Sequence, residues 1–229
     1  HRIGLTGPPG AGKSTLTAAL ARAFSARGET VAIVAVDPSS PFTGGALLGD
    51  RIRMNDIALD TGIFIRSMAS RGSLGGLATT TKEVADVFDA FGFDRILIET
   101  VGVGQSELDI AATTDTTVVV LVPESGDSIQ AMKAGLMEIS DLFVVNKADR
   151  PGAEKLAREV EMALHLRTGQ IRQKVPAHHG VDLERVRKRA AERLGITREE
   201  QESDGTAWDI PVLRTTAEQG QGAQELIAA

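Results

Sequence analysis

Short β-branched and aliphatic runs alternate along the chain with segments of helical period, the pattern of repeated βαβ units around a buried parallel sheet. The runs at Arg2–Thr6, Thr30–Val36, Ile63–Arg66, Arg95–Glu99, Thr116–Val122, Leu142–Asn146 and Val212–Thr215 predict strands. Between them, Leu77, Val84, Phe88 and Phe91 space out one helix face, and Leu156, Val160, Ala163 and Leu164 another. Gly28 and Gly195 follow helical stretches as C-terminal stops. From Asp182 to Asp204 six basic and seven acidic residues accompany Leu183, Val186, Ala190 and Leu194 at helical spacing, which predicts a solvated amphipathic helix. The fold class expected is α/β, a mostly parallel, doubly wound sheet flanked by helices. Its functional loops should lie at the carboxyl ends of the strands.

Composition narrows this picture. With 229 residues, 42% of them hydrophobic, the chain suffices for one sizeable core, so a single domain over 1–229 is expected, with a helical insertion at about 168–205. Seven Phe, one Trp and no Tyr leave aliphatic residues to fill the core. The net charge of -6, without a basic block, argues against a nucleic-acid partner. No Cys occurs, which removes disulfides, thiolate metal sites and a cysteine nucleophile, and a reducing cytoplasmic setting is the expectation. The apolar runs are far short of the ~20 residues that span a bilayer, so no membrane association is expected. The chain starts on its first strand and stops inside its last helix, as a trimmed domain would.

The strongest chemical signal is Gly7-Pro8-Pro9-Gly10-Ala11-Gly12-Lys13-Ser14-Thr15, which follows a predicted strand and opens a helix. It satisfies the phosphate-binding loop pattern of P-loop nucleotide hydrolases in the context that pattern requires. Glycines let backbone N–H groups converge on phosphate oxygens, Lys13 reaches the terminal phosphates, and the Ser14 hydroxyl is offered to magnesium. Asn146-Lys147-Ala148-Asp149 leaves a later strand, where the Asp149 carboxylate can accept from both N1–H and the 2-amino group of guanine. Adenine cannot supply that pair, so an unpaired carboxylate would penalise ATP. Thr216 and Ala217, ending the last strand, offer backbone contacts to the guanine O6. Asp37, Asp50 and Glu99 are candidates for magnesium or for orienting an attacking water, and not all three can be direct ligands beside Ser14 and two phosphate oxygens. In Thr100-Val101-Gly102-Val103-Gly104-Gln105, the Gly102 N–H can sense the γ-phosphate and Gln105 can orient water, the composition of a switch loop.

With these segments in place the sequence resembles the methylmalonyl-CoA mutase-associated GTPases, of the MeaB/ArgK type, within the SIMIBI class. The resemblance rests on Gly7–Thr15, Val36–Ser40, Gly44–Met54, Glu99–Glu107 and Asn146–Asp149, and is close from Arg2 to about Leu166. It implies a magnesium-dependent GTPase that docks on an adenosylcobalamin-dependent acyl-CoA mutase and gates cofactor loading or protection. It also implies that Ser14, Asp37, Asp50 and Glu99 form the magnesium neighbourhood. Gly126–Lys133 would be a third switch, with Lys133 reaching toward the nucleotide, and Arg66 and Arg71 match family positions. The family's N-terminal helices and dimerising C-terminal extension have no counterpart in this chain, and some three dozen residues between Leu166 and Trp208 exceed its usual length. That stretch holds His178 and His179, whose side chains point to opposite faces in extended chain, with no third ligand evident. The alternative expectation is a nickel metallochaperone GTPase of the same class, which Cys-free composition and four His disfavour.

Overall fold

The computed structural model describes residues 1–37, 54, 56–69, 79–100, 109–123, 136–167 and 209–229. The chain divides into two compact units, residues 1–160 with 210–229, and residues 161–209. Among the described residues the first holds seven strands: β1 (Arg2–Thr6), β2 (Val31–Asp37), β3 (Ile63–Ala69), β4 (Arg95–Glu99), β5 (Thr116–Leu121), β6 (Leu142–Val145) and β7 (Val212–Arg214). They form one sheet in the order β3-β2-β4-β1-β5-β6-β7, and every pairing is parallel. Of the second unit, the described residues include the last turns of a helix, Ala153–Arg167.

Successive strand residues are buried on opposite faces, which is why the sequence reads as continuous apolar runs. Leu5, Ile33, Leu97, Val118 and Val120 join one cluster with Leu16, Leu20 and Phe24 of α1 (Lys13–Ser25). Ala32, Val34, Val36, Ile96 and Ile98 join another with Ala85 and Phe88 of α2 (Thr79–Phe91). The helix Ala153–Arg167 is α3; within it Leu156 and Val160 are buried, as their spacing predicts. On α1, the alanines Ala19 and Ala23 pack against Ala223 of α4 (Ala223–Ala228), small residues permitting close approach. Gly28 at φ +81 ends α1, and the Glu29 N–H returns to Phe24 O at 3.2 Å.

β1 and β4 have the limits read from the sequence, and the other strands differ from that reading by one to three residues at an end. Thr30 lies outside β2 because its N–H and hydroxyl both donate to Asp94 Oδ2, at 2.8 Å each. β3 runs on to Ala69 because β2 continues to offer pairing, Val36 to Met68 and Asp37 to Ala69. Leu77 and Gly195 lie outside the described residues. From β1 the chain first builds β2, β3 and β4 on one side and then β5, β6 and β7 on the other. The loop leaving β1 therefore sits where the winding reverses, the place where open parallel sheets form their binding crevice.

Candidate functional site

β1 delivers the chain to Gly7, whose φ of +133 and close approach to β5 exclude a side chain, since a Cβ there would stand 2.1 Å from Val120 O. The loop then turns through Gly10 (φ +77) and Gly12 (φ +85) into α1. Lys13 Nζ donates to Gly7 O at 2.9 Å and Pro8 O at 3.1 Å, so the ammonium lies over the loop it follows. Pro9 and Gly10 are exposed at the loop tip, and Ala11 is buried beneath it.

One residue into α1, Ser14 Oγ donates to Glu99 Oε1 at 2.6 Å, and one turn later Thr17 Oγ1 lies 3.4 Å from Glu99 Oε2. Glu99 ends β4 and is 3% exposed, so an acid is held in the interior by hydroxyl donors. Asp37 ends the neighbouring β2, two residues beyond the partner of Glu99 in the ladder, at the same end of the sheet. Asp50, Gly102, Gln105 and Lys133 lie outside the described residues, as do Arg71, His178 and His179. Arg66 is exposed on β3, two strands removed from β1 by β2 and β4.

At the other side of the loop, β6 is followed directly by Asn146, which is 2% exposed. Its Nδ2 donates to Ala11 O at 2.9 Å, while its Oδ1 accepts from Thr215 Oγ1 at 3.0 Å and from Ala217 N–H at 3.1 Å. One amide thus ties the phosphate loop to the segment after β7. Lys147, in the left-handed region at φ +55, donates from Nζ to Gly10 O at 2.9 Å and adds a second tie. These elements border an open cleft lined by Gly12, Thr15, Asn146, Lys147, Asp149, Arg150, Thr216, Ala217 and Glu218. Its walls carry a carboxylate, Asp149, and the turn beginning at Thr216, whose N–H is paired with Gln221 O. Asp149 is exposed within this cleft.

A family model, "Methylmalonyl Co-A mutase-associated GTPase MeaB", matches residues 1–229. The chain belongs to this family. A GTPase-named protein of Pyrococcus horikoshii is 48% identical over 226 residues, 99% of this chain and 61% of that protein. The GTPase ArgK of Escherichia coli is 45% identical over 168 residues, 72% of this chain and 51% of its own length. The mitochondrial methylmalonic aciduria type A homolog of Mus musculus is 45% identical over 148 residues, 65% of this chain and 36% of that protein. The chain therefore spans between about a third and three fifths of these relatives. Among solved structures, a LAO/AO transport system kinase superposes with a TM-score of 0.66 at 28% identity, covering 99% of this chain and 56% of that one. A nickel-bound HypB of Helicobacter pylori reaches 0.53 at 13% identity, covering 98% and 82%, a likeness of fold alone.

Within this family setting, sequence reasoning left three cleft or core contacts unremarked. Thr17 was legible as a hydroxyl one turn after Ser14 on the same helix, Arg150 as the residue following Asp149, and Glu218 as the residue following Ala217. None belongs to the motif strings, and each is brought in by the turn that its motif neighbour already occupies.

Proposed function

We propose that the chain binds GTP in this cleft and hydrolyses it to GDP and phosphate with magnesium. The observation carrying this reading is the amide of Asn146, which joins the phosphate loop at Ala11 to the Thr215–Ala217 segment and so sets phosphate and base ends in one frame. Lys13 and the loop N–H groups bind the terminal phosphates, Asp149 selects guanine, and Thr216 and Ala217 border the base. The donor set fits magnesium, a hard cation that takes oxygen ligands: the Ser14 hydroxyl and Glu99 carboxylate lie 2.6 Å apart in a buried pair. When bound, the ion supplies charge neutralisation at the phosphates. Asp37 ends the neighbouring strand and, with Asp50, completes the acidic neighbourhood of this reading, while Gly102, Gln105 and Lys133 are its switch residues.

The client is an adenosylcobalamin-dependent acyl-CoA mutase, supported by the family to which the chain belongs. Hydrolysis there reports nucleotide state to the mutase and gates loading or protection of its cofactor. Phosphate release measured with GTP and ATP, alone and with such a mutase, tests both halves. Slow GTP-specific turnover accelerated by the mutase is expected; equal use of ATP would sink the guanine assignment, and an unchanged rate across mutases would sink the client. Asp149→Asn should erode GTP preference by at least tenfold while leaving triphosphate binding in place, read as the ratio of GTP to xanthosine triphosphate affinity.

A further inference from the structure

β3 lies at one end of the strand order, and among the described residues nothing pairs with its outer edge. Alternate residues of such a strand present N–H and C=O groups outward, and natural edges are blunted by shortness, Pro, clustered charge or a bulge. Of these β3 carries only the single charge of Arg66, and its register against β2 is unbroken. It is seven residues long, equal to β2, and Ile63-Phe64-Ile65-Arg66-Ser67-Met68-Ala69 carries one charge and no Pro.

The same edge is apolar on the α2 face. The ladder sets Phe64, Arg66 and Met68 beside Ala32, Val34 and Val36, the β2 residues that face α2. Phe64 meets Phe88 edge-on at 5.4 Å and Phe93 at 6.3 Å, yet remains 48% exposed. Phe91 stacks on Phe93 at 5.7 Å and is 82% exposed, and Val87, one helical turn before Phe91, is 63% exposed. The strip thus runs from edge strand to helix side, with Arg66 as the cation within its row. Among the described residues Arg66 forms no ion pair.

We propose that β3 accepts an extended segment of another polypeptide as an added strand. The segment carries an acidic side chain opposite Arg66 and apolar side chains two residues to either side, opposite Phe64 and Met68. Main-chain pairing supplies affinity and the alternate side chains supply selectivity, as in strand-addition recognition generally. The alternation follows from strand geometry, in which every second side chain shares a face. A second copy of β3 does not fit, because the strand contains no Asp or Glu to set against Arg66, and pairing centred on that residue opposes two like charges.

The test uses fluorescein-labelled peptides built on Val-Thr-Glu-Thr-Val, a Lys-centred analogue, and an analogue N-methylated at alternate backbone amides, titrated by anisotropy into the full chain. Saturable binding of the Glu peptide is expected, about fivefold tighter than the Lys peptide and lost on N-methylation. Hydrogen exchange should slow at residues 63–69, and Arg66→Glu should reverse the Glu-over-Lys order. The peptide comparison stands on the unaltered protein, so it holds even if that variant misfolds. Equal binding of Glu and Lys peptides, no saturable binding, or protection of α2 without β3 each overturns the proposal. So does a self-association of the chain that Phe64→Glu abolishes.

Discussion

Asn146 shows how much one side chain carries. It is buried, and its amide both donates and accepts, which a carboxylate of the same shape cannot do. Asn146→Ala leaves Ala11 O and the Ala217 N–H without this partner and should cost about 2–4 kcal/mol of stability, measured by urea unfolding; an unchanged midpoint would refute the tether. The loop glycines offer a sharper comparison. Gly10 and Gly12 both take positive φ, but a Cβ at Gly10 meets nothing within 4 Å, whereas one at Gly12 would lie 2.4 Å from Asn146 Nδ2. Gly10→Ala should therefore cost only the left-handed penalty, about 1–2 kcal/mol, while Gly12→Ala should cost more and weaken nucleotide binding by displacing Asn146. Equal effects of the two would show that φ alone governs them. The glycines were legible in the sequence because their spacing is fixed by local turn geometry. The bridging role of Asn146 was not, because Thr215, which it bonds, is 69 residues away in the chain.

The elements were legible along their buried interiors and at most of their starts, and less so where the strands end. Strand interiors such as Val118–Val120 declare themselves by unbroken apolar character, and polar contacts between neighbours accompany the starts of β4, β5 and β6. Asp94, Asp115 and Asp141 stand immediately before β4, β5 and β6 and accept backbone N–H groups from Thr30 just before β2, Arg2 of β1 and Thr117 of β5. An Asp before an apolar run is an ordinary turn residue in sequence, so nothing announced this repeated device. It has a pH signature at Asp94, whose carboxyl is held below the usual carboxylate range by the Thr30 N–H and then the Thr30 hydroxyl. Asp60, just before β3, is lowered in the same way by the Gly62 N–H and the Ser25 hydroxyl. A carboxyl depressed in the folded state stabilises fully above its unfolded value of about 3.9, and that contribution fades as pH falls through the lower folded value. The double variant Asp60→Asn with Asp94→Asn should accordingly show a shallower loss of stability below about pH 4 than the parent chain. Parallel acid limbs for the two proteins in chemical denaturation would count against both contacts.

At the scale of the molecule, the site is assembled from residues that lie far apart in the chain. Its described members run from Gly7 to Glu218, leave the carboxyl ends of β1, β4, β6 and β7, and all belong to the unit formed by 1–160 and 210–229. Sequence motifs announced the pieces, but the order that places β1 between β4 and β5 depends on contacts that no local pattern encodes. A ligand seated across such a site binds the folded unit and not its separated segments, so binding free energy becomes folding free energy. At a hundred times its dissociation constant, magnesium GDP should stabilise this unit by about 2.7 kcal/mol. The distribution of that gain is the more searching prediction. Asn146 and Lys147 couple the phosphate loop to β6, and Asn146 couples it onward to the segment after β7. Amide exchange should therefore slow together in α1, in β6 and around Thr215–Ala217 when nucleotide is added, although only part of these residues touch the cleft. Slowing confined to Gly7–Thr15 would mean that the loop binds phosphate alone and that the base end is not mechanically part of the same site.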